Sequence, residues 1–334
     1  MLSILGYKPQ NFVTINRAEK KPINFAEKIQ TYSEILTQII YDPRSSRMIG
    51  HTFNSREVFK LNNVILEPKQ GIIYSSEGQL LAESTNWSTS NLYESFPWNP
   101  GKNVRKLDVI NAINLTSNAF GHWLVEDLGS ILYLFEKFPN SPVIVYKNAS
   151  RFVFELLNYF DREVILSDSP IKVKSIIMIT KQQDSGWMHP RDLENLKVFA
   201  KKINKSVPNL GGRVYATRRN LKRSPKNEIE VENLFKKFDF EIVKLEELDF
   251  LDEVALIRKT KMLAGVSGSW HFNCVWMENK SRVLDIVNQN YWAELPHRVC
   301  SMSEIDYRFY IYSGEFNAEL NLEKLEDFLR KELS

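Results

Sequence analysis

The 334-residue chain has only two cysteines, Cys274 and Cys300. No Cys-x-x-Cys or Cys/His grouping accompanies them, which argues against a structural zinc module. Cys274 sits in a mostly apolar run and reads as a small core residue. Such sparse cysteine use fits a reducing compartment. No window reaches 18 consecutive apolar residues, so the sequence predicts no transmembrane helix. The first dozen residues show no signal-peptide apolar region. The expectation is a cytoplasmic protein, with peripheral contact at the inner membrane face left open. Charge of one sign is not in excess either: 44 basic and 41 acidic side chains leave a net +3. That near-balance argues against a nucleic-acid partner but allows a local basic pocket for one anionic ligand. No G-x-G-x-x-G follows a strand, which disfavours a dinucleotide-dependent dehydrogenase. No Asp-x-Asp pair stands out as a metal clamp, and "SDS" at Ser167–Ser169, with one carboxylate, reads as a turn.

What is present is material for packed cores. Hydrophobic residues make up 43% of the chain, among them 20 Phe, 13 Tyr and 7 Trp, and this excludes general disorder. At roughly 100–200 residues per domain, the length predicts two domains.

The first sixty residues look irregular, with a helical stretch expected around Phe25–Ile40. "NNVILEP", "GIIYS" and "QLLAES", punctuated by Gly71 and Gly78, read as a small β meander. "LDVINAINL" is a further strand. From there the elements alternate: helix at His122–Phe138, strand "PVIVY", helix "SRFVFELLNYF", strands "REVIL" and "VKSIIMI", helix at Arg191–Ile203. The turn-rich "PNLGG" at Pro208–Gly212 marks a boundary, giving domains 1–207 and 208–334. The second part alternates more regularly. Strand "RVYAT" leads to a helix from Asn227 to Phe238, with Asn227 and Glu230 at capping-box spacing. "FEIVKL", "KMLAGV" and "RVLDIV" are strands, Phe250–Lys259 is a helix, "GSWHFNCVWME" opens another, and Leu320–Leu333 closes the chain as an amphipathic helix. This alternation predicts an α/β protein with parallel sheets.

Three segments carry candidate chemistry. In "MLAGVSGSWHFN" a strand ends at Val266, and Ser267, Gly268 and Ser269 turn into a helix. Helix-start amides at the carboxyl end of a parallel strand favour phosphate, and Gly268 lets it approach the backbone. A plain β–α turn with a serine cap explains the residues equally well. In "YATRRNLKRSPKNE" the cations Arg218, Arg219, Lys222 and Arg223 follow a strand end, where guanidinium groups suit phosphate oxygens; alone they read as a solvated basic loop, and the companion Gly268 turn favours phosphate. In "NAFGHWLVEDL" His122 and Glu126 share a helix face and could do acid–base work, although an incidental pair is the simpler reading.

Taken in order, the segments resemble the family-61 glycosyltransferases. Such proteins carry a His-Trp-Leu-x-Glu segment, seen here as His122, Trp123, Leu124 and Glu126. A Tyr-Arg-Arg-Asn-Glu series follows, as Tyr215, Arg218 or Arg219, Arg223, Asn227 and Glu228. "FDFEIVKLEELDFLDEVAL" comes next, and then "GVSGSWHFNCVW", Gly265 to Trp276. "LNNVILEPKQGIIYSSEGQLLAES" looks like the family's opening β segment, so the resemblance spans roughly Leu61 to Val287. This sequence departs from the pattern where Ser267 replaces a histidine and His271 a leucine; a serine can hydrogen-bond but cannot carry charge.

The resemblance implies a GT-B fold, two Rossmann-like domains facing across a cleft, and inverting transfer from a nucleotide-sugar to an oligosaccharide or lipid-linked glycan. It implies a surface-polysaccharide role (capsule, O-antigen or exopolysaccharide), and the abundance of Asn, Lys and Ile suggests a bacterial setting. Glu126 would be the base, Asp127 its reserve, and His122 its orienting partner. Arg218, Arg219, Arg223, Ser267, Gly268, Ser269, His271 and Asn273 would hold the nucleotide-sugar, with no metal and no other cofactor. Trp87, Trp98, Trp123 and Trp187 could stack on sugar faces, though core packing explains any one of them; His189 could border the same cleft. Two other readings remain: another nucleotide-dependent transferase or epimerase on the same scaffold, and a non-catalytic GT-B-like subunit that binds glycan or a partner.

Overall fold

The computed structural model describes residues 4–5, 26–42, 47–76, 80–84, 104–117, 119–181, 187–207, 212–290 and 294–334. Trp87, Trp98, Asn118 and the 208–211 stretch lie outside them. The chain divides into two compact units, residues 1–38 with 51–195, and residues 39–50 with 196–334.

The strands of the first part of the chain are β1 (Ile4–Leu5), β2 (Ala26–Ser33), β3 (Leu36–Asp42), β4 (Arg47–Phe53), β5 (Arg56–Glu67) and β6 (Ile72–Tyr74). They continue as β7 (Leu80–Leu81), β8 (Arg105–Leu107), β9 (Ala112–Leu115), β10 (Val143–Tyr146), β11 (Val164–Ser167) and β12 (Ile171–Ile179). All but β3 and β4, which pair with each other, join one mixed sheet. The meander β5–β6–β7 is antiparallel, and β12 runs antiparallel along β5. On its other side β12 pairs in parallel with β8 and β9, and β9–β10–β11 continue in parallel. The helices are α1 (Gly129–Lys137), α2 (Arg151–Phe160) and α3 (Pro190–Lys202), the last running into the second unit. The core of this sheet gathers Leu61, Val64, Leu66, Ile144, Ile171 and Val173, all essentially inaccessible.

The expected helix over Phe25–Ile40 is absent. Its apolar residues Ile29, Ile35, Leu36 and Ile39 fall near helical spacing, yet all four are exposed. Residues 26–33 pair with β5 instead, and register irregularities between Lys28 and Gln30 and between Thr31 and Ser33 break the two-residue alternation. The bulged strand thus has no clean period 2 to read.

The second unit contains β13 (Arg213–Ala216), α4 (Glu228–Lys236), β14 (Glu241–Val243), α5 (Phe250–Lys259) and β15 (Met262–Val266). A 3₁₀ helix (Ser269–Trp276), β16 (Arg282–Asn288), α6 (Glu294–Met302), β17 (Asp306–Tyr312) and α7 (Leu322–Leu333) follow. The five strands are all parallel, in the order β14-β13-β15-β16-β17. Counted within the unit, this is the doubly wound order 2-1-3-4-5, whose direction reverses between β13 and β15. The expected strands are present, and β17 and α6 add to them.

Two local expectations change. The segment after Gly268 is a 3₁₀ helix rather than an α-helix. Asn227 does not cap α4 with its side chain: Nδ2 donates to the Leu320 carbonyl (2.9 Å) and Oδ1 accepts from the Leu320 amide (2.9 Å). It ties the start of α4 to the approach of α7, and the capping-box partner Glu230 is exposed.

Candidate functional site

In the second unit, the reversal of strand order brings together the residues after β13 and those after β15. Open α/β sheets form their ligand crevice at such a point, outside the carboxyl ends of the strands. Arg218 follows β13 and Gly268 follows β15. The Arg218 guanidinium lies against the Gly268 backbone so closely that a Cβ on residue 268 would sit 1.5 Å from Nη1. Gly268 is extended, with φ −177°, so its backbone conformation does not demand glycine; the arginine does.

Arg218 is held by its surroundings. Its amide donates to Glu228 Oε1 (2.9 Å), and Nη2 donates to the Lys222 carbonyl (2.6 Å). Glu228 is buried at the first turn of α4, where a carboxylate is favoured, and it also accepts from the Tyr215 hydroxyl (3.2 Å). Arg218 is 7% exposed, and among the described residues its Nε finds no partner. Burial lowers its pKa, and the nearby Arg223 charge acts in the same direction. A desolvated cation beside helix-opening amides is a place where an anion gains energy.

Arg219 behaves differently. Its guanidinium grips Glu232 with two nitrogens, Nε at 3.0 Å and Nη2 closer still. Glu232 is itself buried and lies 2.6 Å from the Thr217 hydroxyl. Arg219 is therefore a clamp on α4, while Arg218 faces the Gly268 turn. Arg223 takes a positive φ of 72° in the same loop.

Behind the turn lies a buried polar network. Ser267 Oγ donates to Asp285 Oδ1 (2.6 Å), the Tyr307 hydroxyl donates to Oδ2 (2.5 Å), and His271 Nδ1 lies 3.4 Å from Oδ2. Ser267, His271 and Asp285 are all nearly inaccessible. Asn273 is fully buried, donating to Glu253 (2.6 Å) and accepting from Trp276 Nε1 (3.1 Å). Of the residues expected to hold nucleotide, Ser267, His271 and Asn273 face inward; Ser269 is exposed at the start of the 3₁₀ helix. Asp285, the hub of the network, was missed by sequence reasoning. Its signal is a single carboxylate inside the apolar strand "RVLDIV".

In the first unit, residues 120–137 form one helical run with an interruption. After the short turn Phe120–His122, residues Trp123–Leu128 are wound as π-helix before α1 begins. Such π segments inside helices recur at functional sites. Here the segment carries Glu126 and Asp127, both buried. His122 Nδ1 lies 2.9 Å from Glu126 Oε1, with the imidazole half-exposed. The bond to Glu126 raises the His122 pKa above its ordinary value, against the opposing effect of burial. Asp127 accepts from the Thr116 hydroxyl (2.8 Å) and pairs with Lys181 Nζ (3.2 Å). Trp123 is wholly buried against Phe120 and Phe152, which leaves no face for a sugar. Trp187 stacks on His51 at 3.9 Å. His189 is buried among Tyr32, Phe53 and Asp192, and burial lowers its pKa to about 4.

Among the described residues no group of three or more His, Cys, Asp or Glu is placed to hold a metal ion, and no helix is long and apolar enough to cross a membrane.

Residues 120–284 match the family model Glycosyltransferase 61. By that match the chain carries a family-61 glycosyltransferase segment. It runs from the turn before the π-helix to β16, and so takes in His122, Glu126, the arginine loop and the Gly268 turn. No curated protein matches the chain.

Proposed function

We propose that this protein is an inverting, metal-independent glycosyltransferase with its two units in a GT-B arrangement. It would move a sugar from a nucleotide-sugar to an oligosaccharide or lipid-linked glycan in bacterial surface-polysaccharide synthesis. The observation that carries the reading is the Arg218 guanidinium seated on Gly268 at the strand-order reversal, inside a segment of the transferase family. The surface-polysaccharide setting rests on the sequence resemblance and on the Asn-, Lys- and Ile-rich composition.

In this reading the donor diphosphate lies over the Gly268–Ser269 turn. Arg218 and Arg223 supply charge to the leaving group, and the helix-opening amides supply oriented donors. Two arginines at this point take the role that a divalent cation would otherwise fill. On the acceptor side the Glu126 carboxylate takes the proton of the attacking hydroxyl. The acceptor oxygen bonds to the anomeric carbon as the bond from that carbon to the diphosphate oxygen breaks, its electron pair leaving with the phosphate. Attack opposite the leaving group inverts the configuration. His122, bonded to Glu126, fixes the direction of the carboxylate; base help of this kind contributes about 10²–10⁴ in rate.

One observation favours a second reading. The Ser267 hydroxyl is committed to Asp285 and sits inside, so the residue standing where the family's histidine is usual offers nothing to a donor. A non-catalytic subunit that binds glycan or a partner enzyme would tolerate this. Incubation with a panel of nucleotide-sugars and glycan acceptors separates the two readings. Release of nucleoside diphosphate together with a product of inverted anomeric configuration supports the transferase; binding without release under every combination supports the subunit.

A further inference from the structure

In the first unit the carboxyl ends of β9 and β12 hold a feature that the acid–base pair does not use. A partly open cavity of about 50 Å³ is lined by the sheet and by α1. Most of its wall is apolar, with Ile131 and Leu134 from the helix and Ile177 and Ile179 from the strand. Its polar atoms are few. The Asn114 amide Nδ2 donates to the carbonyls of Pro68 (3.0 Å) and Ile144 (3.1 Å), which fixes the orientation of the amide. Among the described residues its Oδ1 is buried without a partner. Lys181 Nζ, also bonded to the Gln70 carbonyl (2.9 Å), and the Thr116 hydroxyl lie on the polar side, both engaged with Asp127, and the hydroxyls of Ser84 and Ser130 on the same wall donate to the Leu81 and Asp127 carbonyls. Gly71 borders the same space, and a Cβ there would come within 2.9 Å of Asn114 Oδ1.

The dimensions and chemistry select a group. A cavity of this size holds about four water-sized centres. An unpartnered buried acceptor calls for a donor, and the apolar wall calls for a methyl rather than a hydroxyl. An ammonium ion on Lys181 whose charge Asp127 already balances suits a neutral carbonyl rather than a carboxylate. We propose that this cavity receives the acetamido group of an N-acetylhexosamine residue of the acceptor, resting on the transferase reading above. Its N–H would donate to Asn114 Oδ1, its carbonyl would accept from Lys181, and its methyl would pack on Ile131 and Leu134.

Saturation-transfer NMR on the whole protein tests this without any turnover. The probes are the methyl glycosides of N-acetylglucosamine and N-acetylgalactosamine, against those of glucose and galactose. The acetyl methyl protons are expected to receive the strongest saturation, and the parent glycosides to bind about tenfold more weakly or worse. Ser130→Leu, which fills the cavity, is expected to erase the difference while the melting transition persists. The wild-type comparison stands by itself if that variant does not fold. Equal binding of acetylated and parent sugars overturns the proposal. So does acetyl saturation seen only with a nucleotide-linked N-acetylhexosamine, since that places the group on the donor. A nucleotide response with no acetyl preference removes this subsite and leaves the transferase reading; an acetyl preference with no nucleotide response does the reverse.

Discussion

The guanidinium of Arg218 occupies the space that a side chain on Gly268 would need, with Nη1 1.5 Å from the position of a Cβ there. The two residues come from loops after neighbouring parallel strands, and each fixes what the other can be. Gly268→Ala must push the guanidinium out, although Arg218 is buried and bonded to the Lys222 carbonyl. Gly268→Ala and Arg218→Ala are each expected to weaken nucleoside diphosphate binding tenfold or more, about 1.4 kcal/mol. Arg219→Ala is expected to lower the melting temperature through loss of the Glu232 clamp and to leave binding near wild type. Titration calorimetry on the three variants checks the division of labour.

The His122–Glu126 pair makes a prediction in pH. Because the bond to Glu126 raises the His122 pKa, the pair's stabilisation is fully present below the ordinary histidine value of about 6.5 and fades as pH rises through the raised value. The imidazole is half-exposed, so the effect on stability is small. The titration itself is the readout. In Glu126→Gln, the His122 ring resonances should titrate at lower pH than in wild type. Glu126→Ala should abolish transfer with nucleotide binding retained, and near-wild-type turnover would remove Glu126 as base.

His189 acts in the opposite sense. Burial holds it neutral, with a pKa of about 4. The folded state gives up stability as pH falls from about 6.5 towards 4, by up to about 3 kcal/mol. His189→Gln is expected to flatten the fall in melting temperature across that window. An unchanged acid limb would place the titration elsewhere.

The second unit was readable because buried parallel strands such as "KMLAGV" and "RVLDIV" are near-continuous apolar runs between helices. The closeness of the arginine loop and the Gly268 turn followed from their shared place at strand ends. The side-chain division between Arg218 and Arg219 did not, because it depends on Glu228 and Glu232 lying one turn apart on α4. The inward direction of Ser267 and His271 is not legible in the sequence, because it depends on Asp285, a strand away. The bulges in β2 hid a strand, and the π-helix at Glu126 leaves the residue spacing of its segment unmarked.

Gly129 and Asp192 give a prediction on stability alone. A Cβ on Gly129 would meet the Asp192 backbone at 2.5 Å, where Asp192 also accepts from Tyr32 (2.5 Å) and Arg56 (2.5 Å). Both sides are backbone or buried ion pair, so neither can yield cheaply. Gly129→Ala should cost about 1–3 kcal/mol in urea unfolding, and Arg56→Leu about 3–5 kcal/mol, since it strands the Asp192 charge.

The most direct test of the central claim is the melting temperature of the purified protein against UDP, GDP, CMP and their sugars, with and without EDTA. A nucleotide at one hundred times its dissociation constant stabilises the fold by about 2.7 kcal/mol. A clear rise with one nucleotide class is expected, unchanged by EDTA and lost in Arg218→Ala. No rise with any of them, or a rise that Arg218→Ala leaves intact, would contradict that claim.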